Sequence, residues 1–244
     1  MKVAISKKTG KYYYIEKQGD FHSAEGILYE NDLNSSSSYI TSHIGREFIV
    51  LNATNHDISR KYKRGPQTIL PKDLGYIISR TFIDKKSNII EAGGGSGATT
   101  CFFASLTNSV LTYEIEEKNI PIINKNIQKH ELENVTLTNK NLKDDIEDFK
   151  KKYDMLFLDL PNPIEILEKN IKCIKNGHYI VCYLPSIVQV VNLVNFARES
   201  KKYFIEEVSE INKREWKVHK EIARPHHRKD ADHTAFLIFI RFVE

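Results

Sequence analysis

Apolar residues along the 244-residue chain follow two successive patterns. Up to about residue 52 they come as short aromatic and β-branched runs, Lys11-Tyr12-Tyr13-Tyr14-Ile15, Gly26-Ile27-Leu28-Tyr29 and Glu47-Phe48-Ile49-Val50-Leu51, separated by turn residues. Such runs predict strands, and together a small, barrel-like β domain. Residues 53–64 predict a short linking helix, Gly65-Pro66 breaks the chain, and Pro71-Lys72-Asp73 can open a helix over 74–82. From Ser87 the pattern changes. Strands over 88–92, 109–114, 134–138, 154–158 and 178–184 alternate with helices over 97–106, 117–130, 143–151, 163–174 and 186–200. This alternation predicts an α/β domain built on a doubly wound, Rossmann-like parallel sheet. Two last β runs, Tyr203 to about Ile222 and His233 to Phe242, predict an antiparallel hairpin at its edge. The expected domains are 1–64, small and β-rich, and 65–244.

The most informative stretch is Asn88-Ile89-Ile90-Glu91-Ala92-Gly93-Gly94-Gly95-Ser96-Gly97-Ala98. A buried strand runs into glycines that let a ligand approach the backbone, and the next helix offers its N-terminus. Gly93-x-Gly95-x-x-Ala98 also satisfies a dinucleotide fingerprint, so the glycines alone leave the nucleotide open. Glu91 suits a cationic ligand better than a pyrophosphate, and S-adenosylmethionine carries an ammonium and a sulfonium. Glu114, at the tip of the next strand, can accept both ribose hydroxyls of either ligand class. The terminal hairpin favours a methyltransferase over a nicotinamide-binding domain. Strand 154–158 leads into Asp159-Leu160-Pro161-Asn162-Pro163. An acid at the carboxyl end of a central parallel strand, stiffened by two prolines, points into the cleft near a methyl donor. Capping the following helix is the plainer role open to it.

Composition narrows the class. Hydrophobic residues make up 41% and charged residues 28%, the balance of a soluble globular protein. No apolar run reaches the ~18 residues of a membrane span, and the expected location is the cytoplasm. The net charge of +4 permits a polyanionic partner without requiring one. Lys150-Lys151-Lys152 reads as solvated surface, whereas Arg60-Lys61-Tyr62-Lys63-Arg64, just before the glycine-proline break, carries more weight as a contact for such a partner. Cys101, Cys173 and Cys182 lack C-x-x-C spacing and read as small buried hydrophobes. His226, His227, Asp230, Asp232 and His233 are too close together for a common metal-ligand pattern, and no metal is expected. Trp216 reads as a packing residue of the hairpin.

Taken together, these motifs resemble the tRNA (adenine-N1)-methyltransferases that act on the T loop at position 58, particularly their archaeal members. The resemblance spans nearly the whole chain. It includes Phe21-His22, Thr41-Ser42-His43-Ile44-Gly45, Lys63 to Asp73, Glu91 to Gly97, Tyr113-Glu114 and Asp159 to Pro163. It continues through Tyr183-Leu184-Pro185 with Gln189, Arg214-Glu215-Trp216, Arg224-Pro225 and His233-Thr234-Ala235-Phe236-Leu237. It implies a class I S-adenosylmethionine-dependent methyltransferase that binds tRNA and assembles as a homotetramer. Gln67 and Gly93, Gly94, Gly95, Ser96 and Gly97 would meet the methionine part of the donor, and Glu114 its ribose. Asp159 would face the target adenine with Tyr183 nearby, and the loop from Arg224 to His233 and Thr234 would line the cleft and meet RNA. Two positions depart from the family: Leu70 stands where Tyr is usual beside the substrate base. Asn141, followed by Leu142, stands where Asp usually accepts from the donor's adenine amino group, a role the Asn oxygen can still fill. The alternatives are a non-catalytic tRNA-binding subunit and a class I methyltransferase with another substrate; methylation at position 57 besides 58 stays open.

Overall fold

The computed structural model describes residues 1–63, 65–219, 221–225 and 233–244. Arg64 of the basic cluster, and His226, His227, Asp230 and Asp232, lie outside the described residues. Met1–Tyr62 and Lys63–Glu244 are two compact units.

In the first unit, β1 (Lys2–Ser6), β2 (Tyr12–Ile15), β3 (Phe21–Ser23), β4 (Gly26–Leu28), α1 (Glu30–Leu33), β5 (Tyr39–Thr41), β6 (Glu47–Asn52) and α2 (Asn55–Ser59) follow in order. Four strands form an antiparallel sheet in the order β2-β1-β6-β5, while β3 and β4 pair separately. Among the described residues, then, the sheet is open and not the expected closed barrel. Phe48 and Leu28 are fully buried beneath it, with the Tyr13 ring edge-on to Phe48. Helix α2 is shorter than the predicted 53–64. Thr54 and Asp57 form a capping box at its start, but it buries no residue. Short helices without packing do not propagate in water.

The second unit contains α3 (Pro71–Thr81), β7 (Asn88–Ala92), α4 (Ala98–Ala104), β8 (Ser109–Tyr113), a 3-10 turn at Glu117–Asn119, α5 (Ile120–Lys129), β9 (Val135–Thr138), α6 (Leu142–Asp145) and β10 (Tyr153–Leu158). It continues with α7 (Ile164–Leu167), β11 (Ile174–Leu184), α8 (Ile187–Glu199), β12 (Tyr203–Glu210), β13 (Trp216–His219), β14 (Ile222–Pro225) and β15 (Phe236–Phe242). Seven strands form one sheet in the order β12-β15-β11-β10-β7-β8-β9. The five from β11 to β9 are parallel, and β15 and β12 complete the edge antiparallel. Strand alternation sends Ile90, Leu156, Leu158, Ile180 and Cys182 to one buried layer. Ile89, Met155, Phe157, Val181 and Phe239 go to the other, with Ile77 of α3 and Phe103 of α4. The chain runs β7, β8, β9 outward and returns on the far side of β7 as β10. Loops after β7 and β10 therefore diverge, opening a crevice at the carboxyl ends of the strands.

Three elements differ from their sequence expectation. Helix 143–151 stops at Asp145, since beyond the buried Ile146 the chain offers mainly charged side chains. Helix 163–174 shrinks to α7 because strand pairing claims its end: Tyr153 N–H donates to Cys173 O, and Ile174 already pairs with Tyr153. The run from Tyr203 breaks at the polar Asn212-Lys213-Arg214-Glu215, and β13 pairs with β14 as a separate, exposed ribbon. Trp216 on that ribbon is 57% exposed, so it is not the packing residue expected. All three cysteines are buried thiols, none in a disulfide. No helix among the described residues is long and apolar enough to cross a membrane.

Helix α3 ends on Phe82, whose backbone is left-handed (φ 52°) and whose side chain is 87% exposed. A side chain pays there for a conformation that glycine adopts freely. Phe82→Gly should stabilise the protein by about 0.5–1 kcal/mol, read as a rise in the midpoint of urea unfolding.

Candidate active site

At the switch point lies a cleft of about 350 Å³ within the second unit, inside the range of small-ligand sites. Three walls meet there. The glycine loop contributes Gly93, Gly94, Gly95, Ser96 and Ala98; Pro66, Gln67 and Thr68 face it; the ends of β8 and β10 contribute Glu114 and Asp159. Asn141 and Leu142 close the far side, next to Lys140.

The glycine loop is locked to its neighbours by the backbone. The N–H groups of Gly93 and Gly94 both donate to Tyr113 O, and Asp159 N–H donates to Ala92 O. Gly93 has φ +93°, and a Cβ there would stand 2.2 Å from the Asp159 carbonyl oxygen. Glycine is thus required where the loop touches the residue that carries the acid. Asn126, fully buried on α5, donates to Ser96 O and accepts from Lys63 N–H, which ties the segment before Pro66 to the loop. Nothing in the local sequence around Asn126 marks this role.

The acids of the region differ in setting. Glu114 is buried at the tip of β8, where Oε2 accepts from Gly95 N–H (2.6 Å) and Oε1 from Glu116 N–H (2.8 Å). Two backbone donors fix its carboxylate and leave each oxygen a lone pair for ligand hydroxyls. Asp159 lies at the cleft, where burial pushes its carboxyl up to about 6. Glu91 sits elsewhere. It shares the face of Ile89, under α4, is fully buried and accepts from the Thr100 hydroxyl. It is not among the cleft-lining residues. Burial pushes its carboxyl up to about 8, so the group is largely protonated at neutral pH.

Asn141 lines the cleft, but its Oδ1 also caps α6 by accepting from Lys143 N–H. Gly97 backs the loop against Ile123 and is not among the lining residues. Leu70 precedes α3, is 42% exposed, and also lies outside the lining set. Tyr183 is the penultimate residue of β11, beside the end of β10, where Leu158 is in register with Cys182. Burial, helped by the charges of Asp73 and Asp159, pushes its phenol up to about 12. Thr234 reaches the same place from the other direction, its hydroxyl 3.0 Å from Asp73 Oδ2. His233 is turned to Glu210 (2.6 Å) and Pro185 O (3.0 Å) and contacts the Phe236 ring. Arg224 is exposed on β14, paired with Lys217 of β13. Thr68 and Leu160, inside motifs singled out in the sequence but given no role there, also line the cleft, as does Lys140, which no sequence motif included.

Residues 49–235 match the family described as tRNA methyltransferase complex GCD14 subunit. The chain belongs to the GCD14 family. It is similar to the tRNA (adenine(58)-N(1))-methyltransferase TrmI of Thermus thermophilus, 29% identical over 97% of this chain and 95% of that protein. It is also similar to the tRNA (adenine(57)-N(1)/adenine(58)-N(1))-methyltransferase TrmI of Methanocaldococcus jannaschii, 30% identical over 95% of this chain and 92% of that one. Among solved structures, a SAM-dependent O-methyltransferase from Thermotoga maritima superposes with a TM-score of 0.84 at 26% identity, covering 99% and 92% of the two chains. The tRNA (m1A58) methyltransferase TrmI from Aquifex aeolicus gives 0.81 at 26%, covering 100% and 96%. The fold of this GCD14-family chain is that of the class I S-adenosylmethionine-dependent methyltransferases, and its cofactor is S-adenosylmethionine.

The donor set suits that cofactor. Fixed carboxylate oxygens on Glu114 match ribose hydroxyls. Glu114→Gln replaces one acceptor by an NH₂ that must face Gly95 N–H or Glu116 N–H. Donor affinity should fall by about tenfold to a hundredfold, measured by isothermal titration with S-adenosylmethionine, and the fold should persist.

Proposed function

We propose that this protein methylates N1 of adenine 58 in the tRNA T loop, with the neighbouring position 57 a second site to be mapped. The observation that carries this reading is the placement of Asp159. Asp159 lines the cleft, its backbone carbonyl lies close against Gly93, and Tyr183 is on the adjacent strand end. S-adenosylmethionine supplies the methyl group at the glycine loop. Gln67 and Gly93 to Ser96 bind its methionine part, Glu114 its ribose, and Asn141 with Leu142 its adenine. Asp159 accepts a hydrogen bond from the exocyclic amine of the target base. Adenine N1 already carries a lone pair, so no strong base is needed. The purine gains positive charge as the N–C bond forms, and a carboxylate held at the amine favours that charge. Because N1 lies on the Watson–Crick edge, the base must leave its stack, and the Tyr183 ring receives it.

The protein acts on tRNA in the cytoplasm and assembles as a homotetramer. Exposed apolar residues support self-association: Ile187, Val188 and Val191 on α8, and Trp216, Val218 and Ile222 on the β13–β14 ribbon. Light scattering should return four times the chain mass. The reading itself is tested with labelled S-adenosylmethionine and unmodified tRNA, followed by digestion to nucleosides. Label in 1-methyladenosine supports it, and label in a 2′-O-methylnucleoside or another base refutes it.

A further inference from the structure

We propose that Asp73 positions Tyr183 for methyl transfer, with Lys72 holding its charge and Thr234 latching it from the C-terminal segment. The proposal rests on reading Tyr183 as the receiver of the target base. Asp73 lies in the first turn of α3 and is fully buried. Its Oδ1 is 2.7 Å from Lys72 Nζ, whose side chain is only 10% exposed. Its Oδ2 accepts from two residues far away in the chain, Thr234 Oγ1 at 3.0 Å and the Tyr183 hydroxyl at 3.3 Å. Lys72 Nζ closes the ring by donating to Thr234 Oγ1 at 2.7 Å.

A buried ion pair is a costly way to pack a helix start, and apolar residues of similar volume would serve stability as well or better. What this one does is fix a phenol. Tyr183 stands next to Asp159 in the strand order, and its ring direction decides how a base can lie against it. Rotation about the side-chain bonds would blur that direction. A hydrogen bond from the hydroxyl to a carboxylate that cannot itself move removes the freedom. Asp73 is held because it is fully buried and both Lys72 and Thr234 bond to it. The Thr234 hydroxyl both donates and accepts within the ring of contacts. Thr234 therefore acts through Asp73, as a positioning residue and not as a substrate contact.

The test is a double-mutant cycle on methyl transfer to a tRNA transcript. Asp73→Asn should lower kcat about tenfold while the affinity for S-adenosylmethionine is unchanged. In a Tyr183→Phe background the same substitution should add less than about twofold, because its route of action is already gone. Thr234→Val should lower kcat by about threefold or more, and Thr234→Ser should restore most of it. Should Asp73→Asn fail to fold, Thr234→Val and Tyr183→Phe form the same cycle. Additive losses in the cycle, or unchanged kcat in Asp73→Asn, overturn the proposal. Absence of methyl transfer by the unmodified protein would instead overturn the assigned reaction.

Discussion

Asp159→Asn should lower kcat for methyl transfer by about a hundredfold to a thousandfold and at the same time make the free protein more stable. The two effects have one cause. Burial raises the carboxyl of Asp159 from 3.8 to about 6, which corresponds to roughly 3 kcal/mol of unfavourable ionisation at neutral pH. A group with a raised carboxyl value contributes stability below about pH 4 and loses it as the pH climbs through about 6. The Asn variant lacks that loss, so its advantage in thermal midpoint should be small near pH 4 and largest above pH 7. In the proposed reaction the cost is offset because a charged carboxylate is needed where the purine becomes cationic, and one preorganised group of this kind carries about that much rate. Methyl transfer by the natural protein should rise with pH through about 6 and level off, a limb absent from the variant. Donor affinity should fall by no more than about tenfold, since Glu114 and the glycine loop remain. A variant that turns over normally would remove Asp159 from the chemistry.

Gly93→Ala is the second large effect. The added methyl would stand 2.2 Å from the Asp159 carbonyl oxygen, closer than atoms approach, on a backbone at φ +93°. Backbone on either side is fixed, by the bond from Gly93 N–H to Tyr113 O and by that from Asp159 N–H to Ala92 O. Strand ends β7 and β10 must therefore part. The expected loss is about 3 kcal/mol or more, together with donor binding and activity. Gly75 gives the contrast. It lies inside α3 with open space around its Cα, and Gly75→Ala should stabilise by about 0.5–1 kcal/mol. Urea unfolding of the two variants checks both signs; equal effects would mean that the loop tolerates a side chain.

These two residues also show what could be read before the structure. The glycine run, Glu114 and Asp159 each follow an apolar strand at once, so their places at strand ends follow from local pattern. The doubly wound parallel sheet followed too, because alternation of strand and helix allows few topologies. Position along a strand could even have placed Glu91: it is two residues from Ile89 and shares its buried face. Its charge suggested a ligand instead, while burial under α4 keeps it beneath the loop. Long-range partners were not legible. Asp73 meets Thr234 and Tyr183 across 161 and 110 residues, and Asn126 clamps Lys63 and Ser96 across 63 and 30. No local motif encodes such meetings. The overlong helices failed for a related reason. Propensity allowed them, but pairing of Ile174 with Tyr153 and the lack of anything to bury on α2 decided otherwise.

The claim that this site methylates one particular adenine meets its most direct test in a pair of unmodified tRNA transcripts, one with adenine at position 58 and one with guanine there. With labelled S-adenosylmethionine, the first should take up one methyl group, mapped by primer extension as a stop at position 58, and uptake into the second should collapse to whatever position 57 accepts. Equal labelling of both transcripts, or a stop outside the T loop, would contradict the account.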